Sequence, residues 1–253
     1  MSAKQRGDRK LKGSIGDTTY KRGKNGNYTA YEKVESPAKK IATDPRFIRT
    51  RENGSEFGRA GNAGKLIRDA IRSKMKLSGD SSSIPRLLSE LLRVIKADPV
   101  SDRGMRTVTH GPVESLEGFD FNVTAPLSII LPVPFTPTID RAAGNMKVDI
   151  PGFIPDKMMK VPTGATHFRI ISVALELDFE TGQFIADSKS SDNLPWNNEV
   201  MADIHLILTV TLGSTKILFL LLGLEFNQLV NGKFYSITSA DFSSLKLVKV
   251  SAA

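Results

Sequence analysis

From Pro112 onward the chain reads as a succession of short apolar runs separated by Pro, Gly and Asn, and this limits the fold more than any other feature. Strand-like runs fall at 119–123, 127–133, 146–150, 167–179, 183–186, 202–212, 216–230, 234–238 and 245–250. So many strands in one segment predict an antiparallel β-sandwich, jelly-roll-like or Ig-like. Within 167–179 the set Ile171, Val173, Leu175, Leu177 and Phe179 is apolar at every second position, the mark of a half-buried strand. Asn231-Gly232 reads as a hairpin turn. The apolar stretch 204–224 has the length of a membrane span, but Gly213-Ser214-Thr215-Lys216 at its centre and its β-branched flanks read as two buried strands joined by a tight turn.

The first part of the chain follows other rules. Thr18, Thr19 and Tyr20 before Asn25-Gly26, with Tyr28, Thr29 and Tyr31 after it, predict a β-hairpin with a cationic tip at Lys21, Arg22 and Lys24. Asp44-Pro45 opens a helix that runs to about Met75. Gly54, Gly58, Gly61 and Gly64 interrupt it, and each glycine costs a helix about 1 kcal/mol relative to alanine, so a break near Gly54 is expected. Ser83-Ile84-Pro85 opens a second helix that Asp98-Pro99 ends. The expected organisation is therefore a basic arm with a hairpin over 1–43, a helical segment over 44–110 and an antiparallel β body over 111–253 with a core of its own.

Charge divides the same way. Residues 1–110 hold 25 Lys plus Arg against 12 Asp plus Glu, whereas residues 111–253 hold 10 against 15. A basic arm on a mildly acidic body suits contact with a polyanion, or with the acidic body of a neighbouring subunit. The residues that fit a phosphate backbone or stack on bases are Lys10, Lys12, Tyr20, Lys21, Arg22, Lys24, Tyr28, Arg49, Arg51, Arg59, Lys65 and Arg68.

Patterns for catalysis or cofactors do not accompany this charge. Without cysteine there are no disulfides, zinc knuckles or thiol nucleophiles, and His110, His167 and His205 lie far apart in sequence. Walker A, GxSxG, HExxH, GxGxxG and EF-hand patterns are missing from the sequence. The segment 58–65 resembles a phosphate loop only superficially, and it reads better as a place of close helix approach. Asp178 and Glu180 read as a solvated strand end rather than an acid-base pair. Trp196, in a polar loop, fits either a plug over the end of the sandwich or an exposed contact.

The segments 12–21, 44–60 and 165–169 and the ending Leu247-Val248-Lys249-Val250 resemble a family of Bacteroidota proteins with no assigned activity. The resemblance implies that the glycine-rich basic helix is a family feature, and it carries no ligand or catalytic residue. The expectation is a non-enzymatic structural or assembly protein that oligomerises through its β body and basic arm, the arm contacting DNA or RNA. The alternative is a dedicated, sequence-independent nucleic-acid-binding protein that uses the cationic hairpin and helices. Neither reading calls for a cofactor, a metal, a small-molecule substrate or a membrane. The N-terminal stretch has charge but no apolar h-region, so a cytoplasmic location, or a virion for a phage-derived protein, is expected.

Overall fold

A computed structural model describes residues 2–5, 10–32, 37–72, 80–237, 239 and 241–252. Strand accounts for 35% of the chain and helix for 26%, so the protein is mainly β, and its sheets are antiparallel. The chain clusters into two compact units, Met1–Asn53 and Gly54–Ala253.

The first unit contains strands β1 (Ser2–Lys4), β2 (Gly13–Ile15), β3 (Thr18–Arg22) and β4 (Tyr28–Glu32) in one sheet of order β1-β4-β3-β2. The expected hairpin is its centre, with Arg22 opposite Tyr28 and Gly26 in the left-handed conformation its turn requires, at φ 75°. Helix α1 (Pro37–Thr43) follows, and then a 3-10 turn, Pro45–Phe47, in which the Asp44 carboxylate caps the Arg46 N–H at 2.9 Å. That turn leads into α2 (Ile48–Arg72), and the unit boundary falls within this helix.

Helix α2 is not broken at Gly54. It is continuous through all four glycines, held by the face that buries Ala60, Ala63, Leu66, Ile67, Ala70 and Ile71. A β-carbon at Gly64 would lie 3.4 Å from Leu91, whereas one at Gly54, Gly58 or Gly61 would have nothing within 4 Å. The expected end near Met75 lies outside the described residues. Leu91 belongs to α3 (Ser83–Lys96), whose apolar face buries Leu87, Leu91, Val94 and Ile95. Together with Ala60, Ala63, Ile67, Ala70 and Ile71 of α2, these residues pack against strands of the body. The helices and strands of 54–253 therefore share a core, although 44–110 was expected to stand as a segment of its own.

The body continues with α4 (Leu127–Ile130), β5 (Thr136–Asp140), β6 (Asn145–Ile150), α5 (Pro155–Met158), β7 (His167–Asp178), β8 (Gln183–Ser190), β9 (Leu194–Pro195), β10 (Ile204–Thr209), β11 (Ile217–Val230), β12 (Lys233–Ile237) and β13 (Leu245–Ser251). Six of these strands form a large sheet of order β12-β11-β7-β8, in which β13 also pairs with β11 and β9 with β7. The remaining three form a small sheet, β10-β6-β5, and the β structure includes a curled half-barrel.

Both faces of the large sheet are covered, which explains the unbroken apolar run of β11. Phe219 and Leu221 of β11, with Val173, Leu175 and Leu177 of β7, face α2 and α3. Leu218, Leu220 and Leu222, with Phe168, Ile170 and Ala174, face Met146, Val148, Leu206 and Leu208 of the small sheet. Strand β7 is thus buried on both sides rather than half-buried. Its polar members are satisfied internally: the Ser172 hydroxyl donates to the Leu221 carbonyl at 2.9 Å, and the Glu176 carboxylate accepts from the Ser214 hydroxyl at 2.6 Å.

Other local expectations also change. The run 127–133 contains α4 and no strand, and 119–123 contributes a single bridge, Asp120 to Lys246. The strands on either side of Gly213 do not form a hairpin, since β10 pairs with β6 while β11 pairs with β7, β12 and β13. Asn231 and Gly232, at φ 50° and 77°, do close the β11–β12 hairpin. Trp196 is partly buried against the inner core.

Candidate nucleic-acid interface

The small N-terminal sheet has two faces, and the period of two in its strands sorts the basic and aromatic residues between them. Directly opposed residues share a face. Gly13, Tyr20, Ala30 and Ala3 form one such row, and Arg22 and Tyr28 the next, so both tyrosines and Arg22 lie on one side. Lys21, Thr29 and Lys4 form a row on the other side, where Tyr31 opposes Thr19. The residues that the sequence placed together at the tip are therefore divided. The Arg22 guanidinium lies over the Tyr28 ring at 5.8 Å, and both Tyr20 and Tyr28 are half-buried.

Gln5 ties a further cation to this end of the sheet. Its backbone N–H donates to the Tyr28 carbonyl, its side chain brackets Leu11, and its own carbonyl accepts from Lys10 Nζ at 2.9 Å. Lys10, Arg22 and Tyr28 thus gather at the tip end, while Asp17 and Glu32 stand at the opposite end of the hairpin. Lys12, Lys21 and Lys24 are exposed and make no ion pair among the described residues.

The remaining sequence-predicted residues are engaged in holding local structure. Arg51 Nη1 donates to the carbonyls of Ile41 and Asp44, at 2.7 and 3.0 Å, and Arg49 pairs with Glu52 at 3.1 Å. In the second unit, Arg59 donates to the carbonyls of Gly104 and Arg106 while the buried Glu56 carboxylate accepts from the Gly104 N–H at 2.8 Å. Lys65 pairs with Asp69 at 2.7 Å, and Arg68 lies against Gly64. The segment 58–65 is helix, so its backbone amides do not form a phosphate cradle.

The body has clefts as well. One of them, about 540 Å³, lies between α3 and residues 115–123. There Arg86 bridges the Asp80 carboxylate and the Asp120 carbonyl, both at 2.9 Å, and stacks on Phe119 at 4.9 Å. Hydrogen bonds from Ser82, Val123 and Arg86 outweigh burial and hold the Asp80 carboxyl at about 2. Asp178 is held well below the usual carboxylate range by Lys216 at 2.6 Å and by the N–H groups of its own turn. His205 pairs with Asp149, His110 sits 3.8 Å from Asp98, and His167 packs edge-on against Phe234. Among the described residues no group of three or more His, Asp or Glu side chains is arranged to hold a metal, and no helix is long and apolar enough to cross a membrane. Comparison with family models, curated proteins and solved structures finds no match.

Proposed function

We propose that the chain is a non-enzymatic structural or assembly protein that forms homo-oligomers through its β body and basic arm and holds nucleic acid with that arm. One observation carries the reading: exposed cations and tyrosines stand together on one small sheet, with the Arg22 guanidinium over the Tyr28 ring. In the body, Arg59, Arg86 and Arg141 are tied to backbone carbonyls, with Arg141 binding those of Ser214, Lys216, Ser251 and Ala252. On the N-terminal sheet, Lys12, Lys21 and Lys24 stand in solvent beside tyrosines, as a surface for phosphates requires.

The body is read as a jelly-roll-like sandwich, which is supported by one core shared between its large and small sheets. Its suitability for assembly is supported by the outer strands of the large sheet. Strand β12 exposes Phe234 and Tyr235, and β8 exposes Phe184 and Ile185. Edge strands with exposed apolar side chains tend to pair with other chains. Light scattering together with the 260/280 nm absorbance ratio of the purified protein tests the proposal. An oligomer carrying absorbance from nucleic acid is expected, and a monomer free of it contradicts the reading. A monomer that does carry nucleic acid favours the dedicated binding protein, for which the free lysines alone speak.

A further inference from the structure

Resting on the reading that the arm holds nucleic acid, we infer that its ligand is single-stranded, laid across the sheet face that carries Tyr20, Arg22 and Tyr28. Tyr20 and Tyr28 lie on neighbouring strands in adjacent rows, a diagonal placement that puts their positions roughly 7–8 Å apart. Two successive bases of an extended strand are served by such a pair. The side chains beside Tyr20 in its row are Gly13, Ala30 and Ala3, none larger than a methyl group, so no neighbour in that row stands as tall as the ring. Arg22 fixes the Tyr28 ring and places a charge beside it, and Lys10 and Lys24 lie at the same end of the sheet for the phosphates. Stacking on aromatic rings is open to any base but only when the base is unpaired.

The width of the sheet argues against a duplex groove. A two-stranded ribbon fits the major groove, which is about 12 Å wide. Here β1 and β2 flank the hairpin on both sides, so the outer strands are about 14 Å apart before side chains are counted.

The test compares binding of the full chain to a short oligothymidylate and to a duplex of the same length at low salt. Single strands are expected to bind at least tenfold tighter. The double variant Tyr20→Leu, Tyr28→Leu keeps apolar bulk and removes the planar ring, and is expected to lose single-strand affinity by at least tenfold while duplex binding stays the same. Tyr20→Phe with Tyr28→Phe should bind single strands as the parent does. Lys4→Ala with Lys21→Ala, on the other face, should weaken both ligands by the same few-fold factor. Because the leucine variant tests a half-buried position, photo-crosslinking of the parent to a bromodeoxyuridine strand supplies a second readout, with adducts expected on Tyr20 or Tyr28 and not on Tyr31. Equal affinity for both ligands, an indifferent leucine variant or adducts on Tyr31 overturn the inference and leave the broader reading standing. Binding of neither ligand overturns both.

Discussion

Arg22 and Tyr28 stand opposite each other in the β3–β4 hairpin, the guanidinium 5.8 Å from the ring centroid, while the adjacent Lys21 belongs to the other face. Charge reversal at this one position acts on the aromatic face and leaves the lysine row in place. Arg22→Glu is expected to weaken binding to a polyanion at least tenfold at low salt, measured by fluorescence anisotropy. The main melting transition should not move, because residue 22 lies outside the unit that contains the large core. An unchanged affinity would show that the ligand never visits this face.

The shared core sets where the chain can be cut. A piece comprising 54–253 keeps residues 54–72 of α2 and all of α3 over Val173, Leu175, Leu177, Phe219 and Leu221, and is expected to melt cooperatively. A piece comprising 111–253 loses α2 and α3 from that sheet face, and should be insoluble or should bind a hydrophobic dye without a cooperative transition. Circular dichroism melts of the two pieces decide it, and a cooperative melt of the shorter one would contradict the layered core.

Two glycines make opposite demands. Gly58→Ala places a methyl group where nothing lies within 4 Å, so helix propensity alone should raise stability by up to about 1 kcal/mol. Gly111→Ala drives its β-carbon to 2.3 Å from the Val94 carbonyl oxygen, where the loop passes α3, and should cost about 3 kcal/mol. Denaturant titrations measure both, and similar effects of the two changes would rule out the close approach at Gly111.

Asp98 links stability to pH. Burial pushes its carboxyl pKa up, but hydrogen bonds from the N–H groups of Thr107, Val100 and Ser101 outweigh that and hold it down at about 2. The folded value lies below the unfolded value of about 3.9, so the carboxylate stabilises the fold above about pH 4 and that contribution is lost as pH falls through about 2. Asp98→Asn should therefore cost on the order of 2 kcal/mol at neutral pH. The gap between parent and variant in a pH series of thermal melts should close between pH 4 and 2. A gap independent of pH would contradict the assignment.

Much of this was legible in the residues. Asn25-Gly26 and Asn231-Gly232 mark hairpins because their turns need positive φ, found here at Gly26, Asn231 and Gly232. Strands β1 and β2 were not legible, since three residues are too few to display an apolar period. Strand β5 was hidden by Pro137, and the apolar run at 127–133 has no period that separates a strand from the short helix it forms. The period of two already places Tyr20 and Lys21 on opposite faces, so that division was readable once the hairpin was. The engagement of Arg59 was not, because its carbonyl partners, Gly104 and Arg106, lie far along the chain.

The salt dependence of binding tests most directly whether the free lysines of the N-terminal sheet meet phosphates. For the full chain, the affinity for a single-stranded oligonucleotide should fall linearly with salt on a log-log plot, by about 0.7 per phosphate neutralised. Replacing Lys12, Lys21 and Lys24 together by Ala should lower that slope by at least about 0.7, the share of Lys24 at the tip end, with the melting temperature unchanged because exposed charges contribute little to stability. Parent and triple variant with the same slope would show that these lysines do not touch the nucleic acid.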